Sequence, residues 1–531
     1  MQIFRIHTLS DLRDLPPTPR AVALGLFDGV HIGHRAVISQ TLDRGLTSTV
    51  FTFSDGARAM PKHAPALLSP KNKQTLLAQT GVQELIDVDF DCVRDLSPRE
   101  FVTAVLRDAF HTVRVCCGEN FRFGKDGAGD IDTLRALCEA QQIDLTVVKT
   151  VDCDGVPISS TRIRDAIADG DLPLATRLLG HPFWLDEVVS RGQQLGRTLG
   201  FPTLNQYLPA DFVKPRFGVY LSAVEIDGVV HTGLTNIGLR PTVGSDAPLA
   251  ETWVPDYEGD LYGQTVRTIP VRFLRPERAF PSVADLQAQL QKDAADARAQ
   301  TAPTGKVRAV LFDFDDTLQD RPAAYRRYAK RFIERHFPDL PAEEKAARAE
   351  EVWVKNGDGH AYIGGGKYIP YPEYFQSLID AWGWQDPPSI DELIAECRTV
   401  LATETALFPD AVETLTRLRA QGFLTGTVTN GYSAMQGRKL DVSGLRPLLD
   451  LTVVSGDEGV HKPAPELFRR AAARLGIACE DCVYVGDHPY YDMEGAAAAG
   501  MRRVFIDAYD RGIAPAGVPV ITRLSELFEH L

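Results

Sequence analysis

Two stretches of this chain alternate short β-rich apolar runs with amphipathic segments, and a stretch almost free of helical pattern lies between them. From Arg20 to Leu179 the apolar runs are Ala21–Gly25, Ser48–Phe53, Val113–Cys117 and Leu145–Val148. Strands that each lead into a helical segment must run the same way, so a parallel sheet is expected. After His181 strands follow one another through turn residues, as in Phe217–Val230, where Asp227-Gly228 joins two strands, and this reads as a small antiparallel β domain. A helical segment over 282–300 follows, 301–306 reads as a linker, and Val307 opens a second α/β domain. That domain's first strand leads into a helix-rich insertion, about 321–406, placed as a cap domain would be. At 531 residues the chain exceeds the usual domain size of about 100–200 residues, so several cores are required. The expected boundaries are 1–183, 184–300 and 307–531.

The hydrophobic fraction of 44% and charged fraction of 24% are those of a folded globular protein and exclude disorder as the default. A formal net charge of −14, with no Lys/Arg run to offset it, argues against nucleic acid and anionic membrane as partners. No apolar run approaches the roughly 18 residues that a membrane helix needs, no charged-then-apolar leader is seen, and a cytoplasmic location is expected. The eight cysteines show no framework spacing, which suits a reducing compartment. Cys479 and Cys482 form a lone CxxC with no second ligand pair, so packing is their expected role.

Three clusters carry chemistry. In Gly25-Leu26-Phe27-Asp28-Gly29-Val30-His31-Ile32-Gly33-His34, two imidazoles three residues apart sit where a strand gives way to a helix, a place where backbone N–H groups favour phosphate. Both can donate to a phosphoryl oxygen as charge builds there; the plainer alternatives are a metal pair or two surface histidines. In Gly196-Arg197-Thr198-Leu199-Gly200-Phe201-Pro202-Thr203-Leu204-Asn205, glycines permit close approach to phosphate, and Thr203 and Asn205 offer neutral oxygen ligands to Mg²⁺. Because alternate residues of a strand share a face, Leu204 leaves the Thr203/Asn205 face intact. The third cluster is Asp313-Phe314-Asp315-Asp316-Thr317 at a strand end.

The first cluster resembles the HxGH nucleotidyltransferases, and from about Arg20 to Arg298 the chain resembles the bacterial bifunctional riboflavin kinase and FMN adenylyltransferase family. The resemblance implies a Rossmann-like α/β domain followed by an antiparallel β-barrel, with riboflavin, FMN and ATP as substrates and FAD as product. It places Gly25, Phe27, Asp28 and Gly33 at ATP, with His31 and His34 catalytic. Asn120 and Arg122, in Cys117–Gly124, fall in the family's flavin-side loop, and Ser159, Ser160, Thr161 and Arg164 in its second nucleotide motif. In the barrel it places Gly196 and Thr198 at ATP, Thr203 and Asn205 at the metal, and Glu251 as the general base. The chain departs from the family at Ser54–Arg58, where a His-Pro pair is usual, at Leu204 in place of alanine, and at Trp253 in place of histidine.

From Val307 to Leu531 the chain resembles the haloacid dehalogenase-like hydrolases, because Thr429, Lys462 and Gly486-Asp487 follow the DxDxT motif in order. The resemblance implies Asp313 as nucleophile and Asp315 as acid/base. It implies Thr429 and Lys462 as phosphoryl ligands, and Asp313, Asp315, Asp487 and Asp492 around Mg²⁺. An acid at Asp315 favours phosphatase over dehalogenase chemistry. The cap is dense in Trp353, Tyr362, Tyr368, Tyr371, Tyr374, Trp382 and Trp384 around Gly364–Gly366, for which packing explains more than stacking on a flat substrate. The whole reads as FAD biosynthesis with a fused phosphatase for a pathway phosphate ester. Two alternatives stay open: a nucleotidyltransferase for another alcohol phosphate with a general phosphatase, or a flavin-binding sensor.

Overall fold

The computed structural model describes residues 1–42, 45–53, 64–192, 200–239, 248–255, 257–355 and 369–531. Gly196, Thr198, Ser54–Arg58, Tyr362, Gly364–Gly366 and Tyr368 lie outside the described residues.

The first domain is a parallel sheet of β1 (Gln2–Ile6), β2 (Arg20–Leu24), β3 (Thr47–Phe53), β4 (Glu84–Val88), β5 (Thr112–Gly118) and β6 (Asp144–Val148), in the spatial order β1-β4-β3-β2-β5-β6. Residues on both faces of β2 are buried, as a central parallel strand requires. The edge strand β1 precedes the region in which the alternating pattern was legible, and only its pairing with β4 identifies it. The chain leaves β2 to one side for β3 and returns on the other at β5, so a crevice opens beyond the end of β2. Helix α1 (Ile32–Ser39) starts at that crevice, and α2 (Pro70–Gln79) and α3 (Ser160–Asp169) border the same domain.

A two-residue hairpin, β7 (Asp152–Cys153) with β8 (Val156–Pro157), precedes the second domain. That domain is built from β9 (Leu185–Val188), β10 (Thr203–Tyr207), β11 (Gly218–Ile226), β12 (Val229–Gly238), β13 (Leu249–Trp253) and β14 (Thr265–Pro276). Their order is β10-β13-β12-β11-β14-β9, all antiparallel, and a hydrogen bond from Ser190 N to Asn205 O at 2.8 Å brings the two edges together into a nearly closed barrel. The β11–β12 turn is Asp227-Gly228, both residues with positive φ (49° and 80°), the turn that matches strand twist. Helix α4 (Val283–Thr301), capped by the Ser282 side chain on Asp285 N, packs on the barrel through Ala294 and Ala297.

The third domain is again parallel, with β15 (Ala309–Phe312), β16 (Leu424–Thr429), β17 (Leu451–Val454), β18 (Cys482–Gly486), β19 (Arg502–Ile506) and β20 (Val520–Ile521), in the order β17-β16-β15-β18-β19-β20. Here β15 is the strand at which the order reverses. The expected insertion is a helical cap: α5 (Arg321–His336), α6 (Ala342–Lys355), α7 (Tyr371–Trp382) and α8 (Ile390–Leu401). Tyr328, Phe332, Trp353, Tyr374 and Phe375 form its core, so packing accounts for most of the described cap aromatics. Cys482 is buried in the sheet and Cys479 half-buried, and burial pushes both thiols up.

The three domains are packed together. Helix α9 (Ser433–Ser443) lies against α1, and Arg438 on it donates to the Leu42 carbonyl. Helix α10 (Pro465–Leu475) lies against the barrel, where Arg474 pairs with Glu225 at 2.5 Å. The expected linker is tied down: Thr304 N and Gly305 N donate to the buried Asp481 carboxylate at 2.9 and 3.2 Å. That tether has no motif because Asp481 is 177 residues from Thr304.

Candidate active sites

In the first domain the strand β2 runs out into Gly25–Val30, where Phe27 and Val30 take φ of 49° and 41°. Left-handed backbone at an aromatic and a β-branched residue is strained and marks a loop over-determined by its surroundings. Phe27 is buried and sets its ring edge-on to His34 with centroids 5.4 Å apart. His31 caps α1, its Nδ1 accepting the His34 backbone N–H at 3.3 Å, which puts the ring proton on Nε2. The two imidazoles stack with centroids 3.5 Å apart. Burial lowers His31 to about 3 and holds His34 well below its ordinary value, so both are neutral donors.

Asp28 is the knot of this site. Its carboxylate pairs with Arg164 at 2.5 Å and accepts from Leu67 N at 2.9 Å, while its carbonyl accepts from Ser160 Oγ at 3.0 Å. Ser159 caps α3 by accepting from Arg162 N, leaving Ser160 and Thr161 in the first turn. The HxGH loop and the Ser159–Arg164 segment, far apart in sequence, therefore meet at one residue. Arg164 also donates to Pro65 O at 2.7 Å, so its described contacts are to protein groups. Asn120 and Arg122 are exposed beyond the end of β5, next to β2, with Arg122 3.9 Å from Asp130.

In the barrel, Asn205 on β10 and Asn236 on β12 both stand directly opposite Glu251 on β13. Directly paired residues of neighbouring strands share a face, so the three side chains project together. Thr203, Asn236 and Glu251 line a cavity of about 240 Å³ walled by Phe201 and Trp253, whose rings meet edge-on at 4.7 Å. The Oδ1 atom of Asn205 is buried without a hydrogen-bond partner among the described residues, an orphan acceptor that fits a hard cation.

In the third domain, Asp313 follows the end of β15 and Asp487 the end of β18, with Asp492 one turn beyond. Oxygen atoms of these three buried carboxylates lie within 4.8 Å of one another. Burial holds Asp487 well above the carboxylate range, with Asp316, Asp492 and Asp313 adding to it. Such crowding of hard anionic ligands suits a divalent cation. Lys462 donates to Asp313 at 2.7 Å and Asp492 at 2.6 Å, and Asn430 binds the Lys462 backbone through both side-chain atoms, at 2.8 and 3.1 Å. Asp315 turns away from the cluster. Lys439 Nζ lies 2.9 Å from each of its oxygens, Gln436 donates at 2.8 Å and Gln319 at 3.1 Å. Burial pushes the Asp315 carboxyl up, but Lys439, Arg321 and Gln436 outweigh it and leave it below the ordinary value.

Sequence reasoning missed Gln436, Lys439, Arg511 and Lys73. Arg511 pairs with Asp487 at 3.1 Å. Gln436 and Lys439 lie three apart on α9 and so share a helix face, a spacing visible in the sequence, but nothing there shows that the face meets Asp315. Their side chains, with Tyr325, Tyr371 and Tyr432, line a cavity of about 180 Å³ between cap and sheet.

Residues 15–162 match the FAD synthetase family model, 179–301 the riboflavin kinase model, and 307–500 the haloacid dehalogenase-like hydrolase model. The chain is 37% identical over 303 residues to a bifunctional riboflavin kinase/FMN adenylyltransferase of Pseudomonas fluorescens, covering 97% of that protein and 55% of this one. It is 36% identical over 310 residues to the protein of that name from Escherichia coli K12, covering 97% of it and 56% of this chain. Among solved structures it is similar to one titled macrolide-efflux protein from Streptococcus pneumoniae, with a TM-score of 0.50 and 29% identity, over 98% of that chain and 56% of this one. No helix among the described residues is long and apolar enough to cross a membrane. By these matches the chain belongs to the bifunctional riboflavin kinase/FMN adenylyltransferase family and carries a haloacid dehalogenase-like hydrolase domain after it.

Proposed function

We propose that this chain makes FMN and FAD and hydrolyses a phosphate ester: the barrel phosphorylates riboflavin with ATP, the first domain joins FMN to AMP from a second ATP, and the third domain is a phosphatase. The observation that carries the reading is the barrel cavity, where Thr203, Asn236 and Glu251 meet beside Phe201 and Trp253. Its polar groups suit a phosphoryl group and its aromatic wall suits a flat ring.

Glu251 would accept the proton of the riboflavin 5′-hydroxyl as that oxygen attacks the γ-phosphorus. Thr203 and Asn205 would hold Mg²⁺, which when bound neutralises the transferring phosphoryl group. In the first domain, His31 and His34 would donate hydrogen bonds to ATP as charge builds on the phosphoryl oxygens. The loop from Gly25 through Phe27, Asp28 and Gly33, and the start of α3 at Ser159, Ser160 and Thr161, would hold its phosphates with backbone and hydroxyl donors. Arg164 would act by fixing Asp28. Asn120 and Arg122 would meet the flavin from the end of β5.

In the third domain, Asp313 would attack phosphorus, forming an aspartyl phosphate and releasing an alcohol that takes a proton from Asp315. Water would then attack that phosphate, giving its proton to Asp315 and freeing Asp313. Thr429 and Lys462 would hold the phosphoryl oxygens, and Asp313, Asp487, Asp492 and the Asp315 carbonyl would hold Mg²⁺. Hydrolysing FMN would undo the kinase step. The ribitylaminopyrimidine phosphate that must lose its phosphate before riboflavin forms is the more economical substrate.

The test is product analysis after incubating the protein, and an Asp313→Asn variant, with riboflavin, ATP and Mg²⁺. FMN and FAD from both proteins are expected. FMN accumulating only in the variant would make FMN the phosphatase substrate and overturn the upstream assignment, and no flavin product from either would sink the synthetase reading.

A further inference from the structure

A triphosphate brought to the stacked histidines meets two neutral donors, so its charge must be balanced by other groups. Two cations act on His34 electrostatically, Lys73 and Arg164. Arg164 is occupied by Asp28 and Pro65 O. Lys73, in the first turn of α2, is differently placed. Its Nζ donates to Thr52 Oγ1 at 2.7 Å and forms no ion pair among the described residues. The Thr52 hydroxyl in turn donates to Leu26 O at 3.0 Å, so the ammonium hangs from the strained loop that leads to His31. An ammonium has three N–H donors, and one is used among the described residues. Burial lowers it to about 8, with Asp87 and Asp28 opposing, so it carries its charge at neutral pH.

We propose that Lys73 is a further catalytic residue of adenylyl transfer, binding the departing pyrophosphate portion of ATP beside His31 and His34. The proposal rests on the adenylyltransferase reading above. In the step, an oxygen of the FMN phosphate forms a bond to the α-phosphorus of ATP. The bond from that phosphorus to the α–β bridging oxygen breaks, and its electron pair leaves with pyrophosphate. Lys73 donates hydrogen bonds to the β-phosphate side, where negative charge grows, and transfers no proton. A fixed cation aimed at developing charge stabilises the transition state more than the ground state.

The test uses full-length protein with Lys73→Met and Lys73→Arg, measuring FAD from FMN and ATP, and FMN from riboflavin and ATP in the same preparation. The second activity belongs to the barrel and reports on folding. Lys73→Met is expected to lower kcat for FAD formation about 100-fold, with the KM for FMN and the rate of FMN formation unchanged, and Lys73→Arg is expected to recover part of the loss. Unchanged FAD formation, or equal loss of both activities, overturns the proposal, the second outcome giving Lys73 a purely structural role. If the unsubstituted protein makes no FAD from FMN and ATP, the adenylyltransferase reading itself fails.

Discussion

The guanidinium of Arg438, in the hydrolase domain, donates to the carbonyl oxygen of Leu42, just beyond the helix that begins at the HxGH loop. Arg438 belongs to the same helical turn as Gln436 and Lys439, which grip Asp315. One turn of helix thus touches both Asp315 and the first domain. Losing this bond leaves a buried carbonyl unpaired, at a cost of about 1–3 kcal/mol. Arg438→Ala should therefore lower the melting temperature of the full chain and separate one calorimetric transition into two. A single unshifted transition would mean the contact contributes nothing to docking.

Kinase and adenylyltransferase activities should separate by mutation. Glu251→Gln is expected to lower FMN formation from riboflavin by about 100-fold or more while FAD formation from supplied FMN persists. His34→Ala should do the reverse, with a loss of about 100-fold or more in FAD formation. Product chromatography with each flavin supplied separately decides it, and parallel loss of both activities in either variant would contradict separate sites.

Phosphatase activity should depend on a divalent cation held at Asp313, Asp487 and Asp492. A chelator should abolish hydrolysis of a simple phosphate monoester and added Mg²⁺ should restore it. Asp487→Asn removes one anionic ligand and should raise the Mg²⁺ concentration needed for half-maximal rate about tenfold or more. An identical Mg²⁺ dependence in the variant would remove Asp487 from the cation site.

The buried imidazoles predict an acid limit to stability. His31 falls to about 3 in the folded protein from an ordinary value of 6.5, and His34 moves the same way, burial being the largest cause for both. Below 6.5 the unfolded chain therefore binds protons that the folded chain refuses. Their contribution is fully present above pH 6.5 and declines as pH falls from 6.5 toward about 3, by at most about 1.4 kcal/mol per pH unit for each histidine. Melting temperature measured from pH 7 down to 4.5 should fall, and His31→Asn should flatten the slope. The same slope in the variant would mean that His31 is not buried neutral.

Much of this architecture is local and therefore legible. A strand end followed by a phosphate loop is a contiguous segment, so HxGH, DxDxT and the Thr203/Asn205 strand each announce themselves, and the Asp227-Gly228 hairpin follows from two positive φ angles that few other residue pairs accept. Alternation of apolar runs with helices was enough to specify a parallel sheet in the first domain and an α/β fold in the third, because the period of a buried strand and that of a helix differ. The sequence by itself thus determined the three domains and most of the groups proposed to do chemistry.

Only the tertiary structure decided what holds those groups in place. Asp28, in a loop, meets Arg164 on α3 across 136 residues, and Lys439 reaches Asp315 across 124 residues. Arg164 and Lys439 are ordinary charged residues on helices until packing sets their direction. The same is true of Lys73, and of Arg438, whose partner is a backbone carbonyl that no residue type encodes. Motifs record chemistry that one segment can supply alone. The burial that neutralises His31 and the ion pair that occupies Arg164 arise only when separate segments share one interior.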